Sequence, residues 1–425
     1  MTVEQRERDA APAAPAPESL PARVLHALWS SNPATVTVLA IVLALLAGAV
    51  LMVVSDADIR AMYSYLFARP SDALRASADK VGEAYADLFR GAVVSPSALA
   101  AALTGTGDWA TALRPLSETL TATTPLVFTG LAFTLAFRGG LFNIGVQGQA
   151  ILGAAGAALV GFLLPLPVVL HLLVALLGGA LGGALWGLAP GLLKARTGAH
   201  EVITTIMLNW VALIFLAWLI IQPGIHDPER RDAISRPVAD TARLFRLPEW
   251  TGLSGLRVHF GIVLAVAAVV AVSWLLRRAT FGFELRAVGS NPDASRTAGI
   301  RVGRTYVLVM VVAGALAGLG GTSVVLGTAT TLTPQVIGNV GFDGILVGLL
   351  GRARPWGVFL AALLFGALQA GGRTMQTSSQ ISLELVQVIQ ALIVIFVAAP
   401  ALVKALFRLR AARAGGVATA SGRGW

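Results

Sequence analysis

The side chains in this chain best placed to do chemistry are amides. Arg138-Gly139-Gly140-Leu141-Phe142-Asn143-Ile144-Gly145-Val146-Gln147-Gly148-Gln149 sets one asparagine and two glutamines among glycines, inside an otherwise apolar run. Asn143 and Gln147 are four residues apart, so a helix would place them on one face. In a hydrocarbon setting a buried amide must find partners, because an unsatisfied polar group there costs several kcal/mol. Two readings fit. The segment is a broken helix whose amides meet a polar solute crossing the membrane, or its glycines permit close helix packing while the amides bond to neighbouring helices.

A comparable stretch lies 200 residues further on, where Val340-Gly341-Phe342-Asp343-Gly344 and Gly348 align with Gly140-Leu141-Phe142-Asn143-Ile144 and Gly148. Phe142 then pairs with Phe342 and Asn143 with Asp343, as in a chain of pseudo-repeated halves with interrupted helices. Asp343 is the one acid well inside a predicted crossing. It is a functional candidate by position, with pairing to backbone or arginine as the structural alternative. The preceding Thr328-Ala329-Thr330-Thr331-Leu332-Thr333-Pro334-Gln335 is too polar for a lipid-facing helix, which predicts a re-entrant or outer-mouth segment buried in protein. Thr205 and Asn209 are one turn apart. Gln387 and Gln390 share a face with Glu384 just above, an arrangement more often helix–helix glue than a ligand site.

The elements that must position these groups follow from composition. Of 425 residues, 56% are hydrophobic and 13% charged, against about a quarter charged in a soluble domain. Mean hydropathy is +0.75. This excludes a disordered chain and a solvated cytosolic enzyme, and the absence of cysteine excludes disulfides, thiolate metal sites and cysteine nucleophiles. What remains is an all-α polytopic membrane protein. The net charge of +10 comes from 29 Arg and 3 Lys lying mostly between apolar stretches and at the C-terminus, so membrane topology accounts for it and nucleic-acid binding is set aside.

A bilayer core needs roughly 20 apolar helical residues per crossing. Uncharged gaps give a first span over 34–54 and others within 119–137, 141–163, 168–191, 202–226, 258–276, 305–342, 355–372 and 385–403; the short piece Gly344–Gly351, counted with its flanks, makes about ten transmembrane helices. Residues 277–304, 352–354 and 404–425 hold 13 basic residues against Glu284 and Asp293, which puts both termini in the cytoplasm. Trp29, Trp274 and Trp356 fall near the inner boundaries, as in an aromatic belt. The predicted organisation is a disordered cytoplasmic tail over 1–29, a transmembrane domain over 30–404 and a cytoplasmic tail over 405–425. The first span reads as an uncleaved signal anchor. Within the domain, loop 56–118 is expected as amphipathic helices on the outer membrane surface, or as a solvated hairpin over the outer mouth.

The cytoplasmic loop 277–304 carries its own start and stop signals. Asn291-Pro292-Asp293 suits a helix N-terminus, and Gly299 supplies its end. A short docking helix parallel to the membrane follows, with a plain positive-inside loop as the alternative. No Gly-Lys pair exists for an ATP-cradling loop, His200-Glu201 lacks the second histidine of a zinc motif, no G-x-S-x-G is present, and the five histidines have no ligand spacing. No catalytic or metal site is predicted.

Four stretches, in order, resemble permease subunits of bacterial ABC importers for nucleosides, relatives of the ribose and branched-chain amino-acid permeases. They are Gly140 to Gln149; His200-Glu201-Val202-Ile203 with Thr205 to Asn209; Ala287 to Pro292 with Ala298-Gly299-Ile300; and Gly341-Phe342-Asp343-Gly344-Ile345 with Val347-Leu349-Leu350-Gly351. The resemblance covers about residues 115–405. It implies a multi-pass subunit of the bacterial plasma (inner) membrane that is not itself an enzyme and holds no cofactor. Its implied partners are a second related permease, a cytoplasmic ABC ATPase carrying ATP and Mg, and an extracytoplasmic substrate-binding lipoprotein. The ATPase-coupling residues would be Asn291, Pro292, Asp293, Arg296, Ala298 and Gly299, and the substrate pathway Phe142, Asn143, Gln147, Asn209, Phe342 and Asp343. Such permeases often carry Glu where this chain has Gln147. The competing readings are an ion-coupled secondary transporter of a small polar solute centred on Asp343, and an ABC permease for ribose or another sugar.

Overall fold

The computed structural model describes residues 33–246, 253 and 255–407. The predicted 1–29 tail, Trp29 and the C-terminal tail after 407 lie outside them. Among the described residues the chain is helical, and β-pairing is limited to the isolated bridges His226–Ser235 and Arg246–His259.

Eight described helices are long and apolar enough to cross a membrane: α1 (Pro33–Ser55), α5 (Trp109–Arg138), α6 (Val146–Leu163), α7 (Val168–Thr197), α8 (Glu201–Ile220), α9 (Gly261–Arg278), α12 (Val302–Val324, continued by a π-turn over Val325–Ala329) and α14 (Pro355–Ser379). Between α1 and α5 lie α2 (Ala57–Tyr63), α3 (Pro70–Ala92) and α4 (Pro96–Leu103). α10 (Thr280–Ser290) and α11 (Pro292–Thr297) follow α9, and α13 (Val340–Leu350) precedes α14. The chain ends in α15 (Leu383–Ala398) and α16 (Pro400–Leu406), bent by 89°. With the bent pairs α3–α4 and α15–α16 each counted as one span, the total reaches ten. The predicted total of ten counted the piece around Gly344–Gly351 as one crossing. In the structure its helix, α13, has 11 residues, about 16 Å of rise, half of a bilayer core. The long 305–342 gap is divided accordingly: α12 and its π-turn cross, and the chain returns through the irregular segment 330–339 and α13.

Two compact units divide the chain. The larger is 47–394; the smaller joins, among described residues, 33–46 and 395–407. At the centre of the larger unit is α5, almost wholly buried despite its threonines. Thr121, Thr123, Thr124 and Thr129 each donate to the carbonyl four residues back at 2.7–2.9 Å, so polar side chains enter the core already satisfied. Asp108 caps the start of α5 by accepting from Ala110 N (3.1 Å), and Pro165 and Pro167 separate α6 from α7.

The closest packing is α7 against α12. Gly179, Gly183 and Gly187 recur every fourth residue and face Gly314, Gly318 and the Met310 carbonyl of α12; a Cβ at Gly183 would strike the Gly314 carbonyl. Small residues at this spacing let backbones approach where no hydrophobic force drives helices together. Trp274 and Trp356 stand exposed on the surface.

The larger unit has two ends. One, rich in arginine, gathers residues 138–140, 194–201, 289, 303 and 353: Arg138 Nε donates to Ala353 O (2.8 Å), Gly140 abuts Gly289, and Lys194 pairs with Glu201 at 2.8 Å. At the opposite end the link 225–246 is laced to the segment after α12, with Ser235 N donating to Leu332 O (3.0 Å), Val238 N to Thr330 O (2.8 Å) and Leu244 N to Leu326 O (2.9 Å). The segment 56–118 contains α2–α4 as amphipathic reading predicts. α3, however, packs lengthwise on α14: Cβ atoms at Gly91 and Gly371 would collide with Thr374 and Leu88, and Ser379 Oγ donates to Asp87 (2.7 Å). Asp56 caps α2 and pairs with Lys80 at 3.1 Å. Its carboxyl is held below the usual carboxylate range, first by the Ile59 amide and then by Lys80.

Gly183→Val should overpack the α7–α12 contact and cost roughly 1–3 kcal/mol or more, read as a lower unfolding temperature of detergent-solubilised protein. Gly82→Ala, in α3 with open space around its Cβ position, should raise stability by about 0.5–1 kcal/mol.

Candidate functional site

Two helices of the larger unit begin at breaks: α6 at buried Val146, and α13 at half-buried Val340, beside Gly338 and Asn339 on the cavity wall. The first turn of a helix has amide hydrogens without intrahelical partners, and side-chain amides supply them here. Asn143 Oδ1 accepts from Gly145 N (3.0 Å), while its Nδ2 donates to Gln149 Oε1 (3.1 Å). Asn209, from α8, accepts from Gly148 N (2.8 Å) and donates to Ile144 O (2.9 Å). Gln147 bridges the two broken elements: its Oε1 accepts from Gly341 N (2.8 Å) and its Nε2 donates to Gly338 O (2.6 Å). Asn209 and Gln147 thus each tie one donor and one acceptor of an interrupted backbone, and Asn143 joins a backbone donor to the Gln149 amide. Thr205, buried one turn before Asn209, packs where a Cβ on Gly145 would sit.

The paired stretches seen in the sequence occupy unlike positions. Asn143 precedes α6 by three residues, whereas Asp343 is in the first turn of α13. Phe142 lies edge-on to Phe133 and Phe137, with centroids 5.3 and 6.3 Å away. Phe342 is 42% exposed.

Two cavities flank the segment 335–339 and share Gln335, Ile337, Gly338 and Asn339 as their wall. The first, about 440 Å³, lies between α5, the end of α12, α14 and α15; Asp343 and Gln369 line it deep in the bundle, and Arg257 and Arg373 at its far end. Gln369 Nε2 donates to Asp343 Oδ2 (3.0 Å). Both arginines reach Glu118, Arg257 at 3.2 Å and Arg373 at 3.5 Å. Gln387 and Gln390, set down as helix glue in the sequence, line this cavity too, and Gln390 also donates to Phe365 O at 3.5 Å. The second cavity, about 330 Å³, is lined by Gln147, Asn209, Trp210 and Phe342 among others. Of the six predicted pathway residues, Asp343 lines the first cavity, Gln147, Asn209 and Phe342 the second, and Phe142 and Asn143 neither.

Sequence reasoning passed over Gln369, Asn339 and the Glu118–Arg257–Arg373 cluster. For Gln369 the signal was present, an amide inside the uncharged 355–372 run. His259, in the link ahead of α9, also lines the first cavity. Burial, then the nearby Arg257 and Arg246 cations, push it down to about 4, and its Nδ1 accepts from Gly261 N (3.2 Å).

At the arginine-rich end α11 has the predicted cap: Asn291 Oδ1 accepts from Asp293 N and Ala294 N, both at 3.0 Å, and Gly299 adopts φ +84°. Arg296 pairs with Asp293 at 2.7 Å, and of 291–300 only Ser295 is buried. Among the described residues no cluster of His, Asp and Glu could hold a metal ion.

The family described as the permease component of branched-chain amino acid transport systems matches residues 116–398. The chain is 39% identical to the guanosine ABC transporter permease NupP of Bacillus subtilis, covering 67% of this chain and 80% of that one. It is 37% identical to the nucleoside ABC transporter permease NupB of Lactococcus lactis, over 67% and 79%. It is 34% identical to the glucose ABC transporter permease TsgB13 of Haloferax volcanii, over 66% and 75%. The first two organisms each have a second such permease, NupQ and NupC, 28% and 26% identical to this chain. No solved structure matches.

Gln147→Leu should strand the buried Gly341 amide, at about 1–3 kcal/mol, and release the exposed Gly338 carbonyl, read as a lower unfolding temperature than wild type. His259 gives a pH test. Its folded value lies below the 6.5 of the unfolded chain, so its contribution to stability is complete above pH 6.5. That contribution is lost as pH falls towards 4, at a limiting slope of about 1.4 kcal/mol per pH unit. His259→Gln should flatten that acid limb of the unfolding temperature.

Proposed function

The chain belongs to the permease-component family of branched-chain amino acid transport systems, and from that membership we propose that it is the subunit through which nucleosides are imported. It is a membrane permease subunit of an ABC transporter and not an enzyme. The observation that carries the nucleoside reading is the first cavity. Its size, about 440 Å³, falls in the range of small-molecule sites. Its interior presents uncharged amides with a single acid, and its arginines are tied to Glu118 at one end. A nucleoside is polar and uncharged, so amides that exchange hydrogen bonds suit it better than fixed charges. Two of the similar permeases are named for guanosine and for nucleosides.

In this reading the arginine-rich end is cytoplasmic and both termini lie there. The chain pairs with a second related permease in the plasma membrane, an extracytoplasmic binding lipoprotein delivers the solute, and ATP with Mg is hydrolysed on a separate ATPase. α11, exposed and capped, is the coupling helix. Movement at α11 has a short path inward. Gly289, at the end of α10, packs on the Arg138 carbonyl and Gly139, and Arg138 grips Ala353 just after α13. A push on α11 therefore bears on both broken elements, and alternating access follows from their shift against the rest of the bundle.

Glucose is the substrate named for the third relative, so sugar import is the reading to set beside this one. Radiolabelled guanosine uptake should require this chain, persist when ion gradients are dissipated with ATP maintained, resist excess glucose, and vanish in Ala298→Glu, which puts a charge beside α11, while that variant still reaches the membrane. Uptake that collapses with the ion gradient and ignores the α11 variant would instead support an ion-coupled carrier, and displacement by glucose a sugar permease.

A further inference from the structure

Within the nucleoside reading, on which this rests, the part of the solute that the first cavity recognises is not yet specified. We propose that Asp343 binds the vicinal hydroxyls of the sugar, and that the site recognises the ribose in preference to the base.

Asp343 is the only acid among the residues lining the cavity. Its carboxylate is oriented from one side, where Oδ2 accepts from Gln369 Nε2 (3.0 Å). Asn339 lies one helical turn earlier, and its carbonyl accepts from the Asp343 amide (2.9 Å); both residues line the cavity, consistent with a shared face. The cavity's arginines, Arg257 and Arg373, are already bonded to Glu118 and are not the partners of Asp343.

A carboxylate only accepts hydrogen bonds, so its complement must donate. Each hydroxyl of a vicinal diol donates once and accepts. Both can donate to Asp343 while accepting from the NH₂ groups of Asn339 and Gln369, leaving no member of the cluster without a partner. Base edges differ: one pyrimidine presents a single ring N–H between two carbonyls, another an amino group beside an acceptor, and a purine something else again. A fixed carboxylate with flanking amides would suit one edge and reject the others. The diol is the group every ribonucleoside presents alike, and an acid placed to take a ribose hydroxyl is an established solution in nucleotide-binding folds.

The test uses cells expressing the whole transporter and compares labelled guanosine, 2′-deoxyguanosine and uridine in wild type, Asp343→Asn and Gln369→Met. A site built to bond a hydroxyl strongly rejects the analogue lacking it. Wild type should therefore favour guanosine over 2′-deoxyguanosine by roughly tenfold or more, and treat uridine within about threefold of guanosine. Asp343→Asn should lower guanosine uptake to within about twofold of 2′-deoxyguanosine uptake, while the latter, which offers Asp343 only its 3′-hydroxyl, falls by less, the pattern of a lost pairwise interaction. Gln369→Met keeps the carboxylate but frees it and removes one donor to the diol, and should shift the same ratio by less, lowering guanosine uptake more than 2′-deoxyguanosine uptake. It also serves if Asp343→Asn fails to reach the membrane.

If both substrates fall equally in the variants, Asp343 only shapes α13 and the proposal is wrong. If the wild-type preference persists unchanged in the variants, discrimination lies outside this chain and the proposal is equally wrong. Wild-type cells that take up no nucleoside would overturn the import reading and this assignment with it, a result distinct from nucleoside uptake indifferent to the 2′-hydroxyl.

Discussion

At Val146 a helix starts in buried surroundings and at Val340 another starts beside the cavities, and in each the first turn carries peptide N–H groups without an intrahelical partner. That constraint organises the middle of the bundle. An unsatisfied amide in such a place is costly, so a helix can begin there only if side chains from elsewhere supply acceptors. Asn143 and Asn209 do this for α6, and Gln147, itself in the first turn of α6, does it for α13. The two interruptions are therefore interdependent. Removing Gln147 would disturb the start of α13, and removing Asn209 would disturb the start of α6 and the Ile144 carbonyl before it.

The same arrangement explains why the interruptions leave space. Between the end of the π-turn and α13 the chain runs irregularly through 330–339. Such backbone is tolerated at membrane depth where it is buried in protein or lines a cavity. Both conditions hold: Leu332 and Ile337 are buried, and Gln335 to Asn339 face cavities on two sides. The wall between the cavities is thus a thin length of polar backbone pinned by one glutamine. A regular helix there would be stiffer, and would hide the carbonyls and amides that Gln147 and Ser235 now hold.

Much of this was legible in the sequence because lipid makes polar residues conspicuous. Asn143, Gln147, Asn209 and Asp343 stand out in apolar runs, and Asn291-Pro292 with Gly299 delimits α11 as expected. The sequence left open whether the amides meet solute or neighbouring helices. The structure shows each of the three bonded to backbone or to another amide, and the more distant partners are a matter of three-dimensional folding: Gln147 and Gly338 are separated by 191 positions. Gln387 and Gln390, read as packing, line a cavity, and Gln390 also bonds across to Phe365 of α14, because one helix face cannot say all that stands opposite. The count of about ten crossings holds, but its assignment differs at Gly344–Gly351, because hydropathy measures composition and not direction. A half-helix joined to an irregular return has the composition of a span without its length.

Close glycine packing sets limits on what can move. α7 and α12 meet through backbone, with Gly179, Gly183, Gly314 and Gly318 leaving no room for a side chain. Contacts of this kind have no soft side chains to repack, so the pair behaves as one body. α13 is different: it is short, begins at a hydrogen-bonded break, and ends at a turn where Arg352 and Ala353 take positive φ, a conformation unfavourable to residues with a Cβ. Arg138 holds that turn by the Ala353 carbonyl. Between a rigid glycine-packed pair and a fixed central α5, the compliant elements are the segment 330–339, α13 and the stretch 139–145 before α6. These carry the cavity wall, Asp343 and the bracketing amides. Any displacement entering through Gly289 and Arg138 must be taken up there, because the remaining helices offer no looser joint on that path.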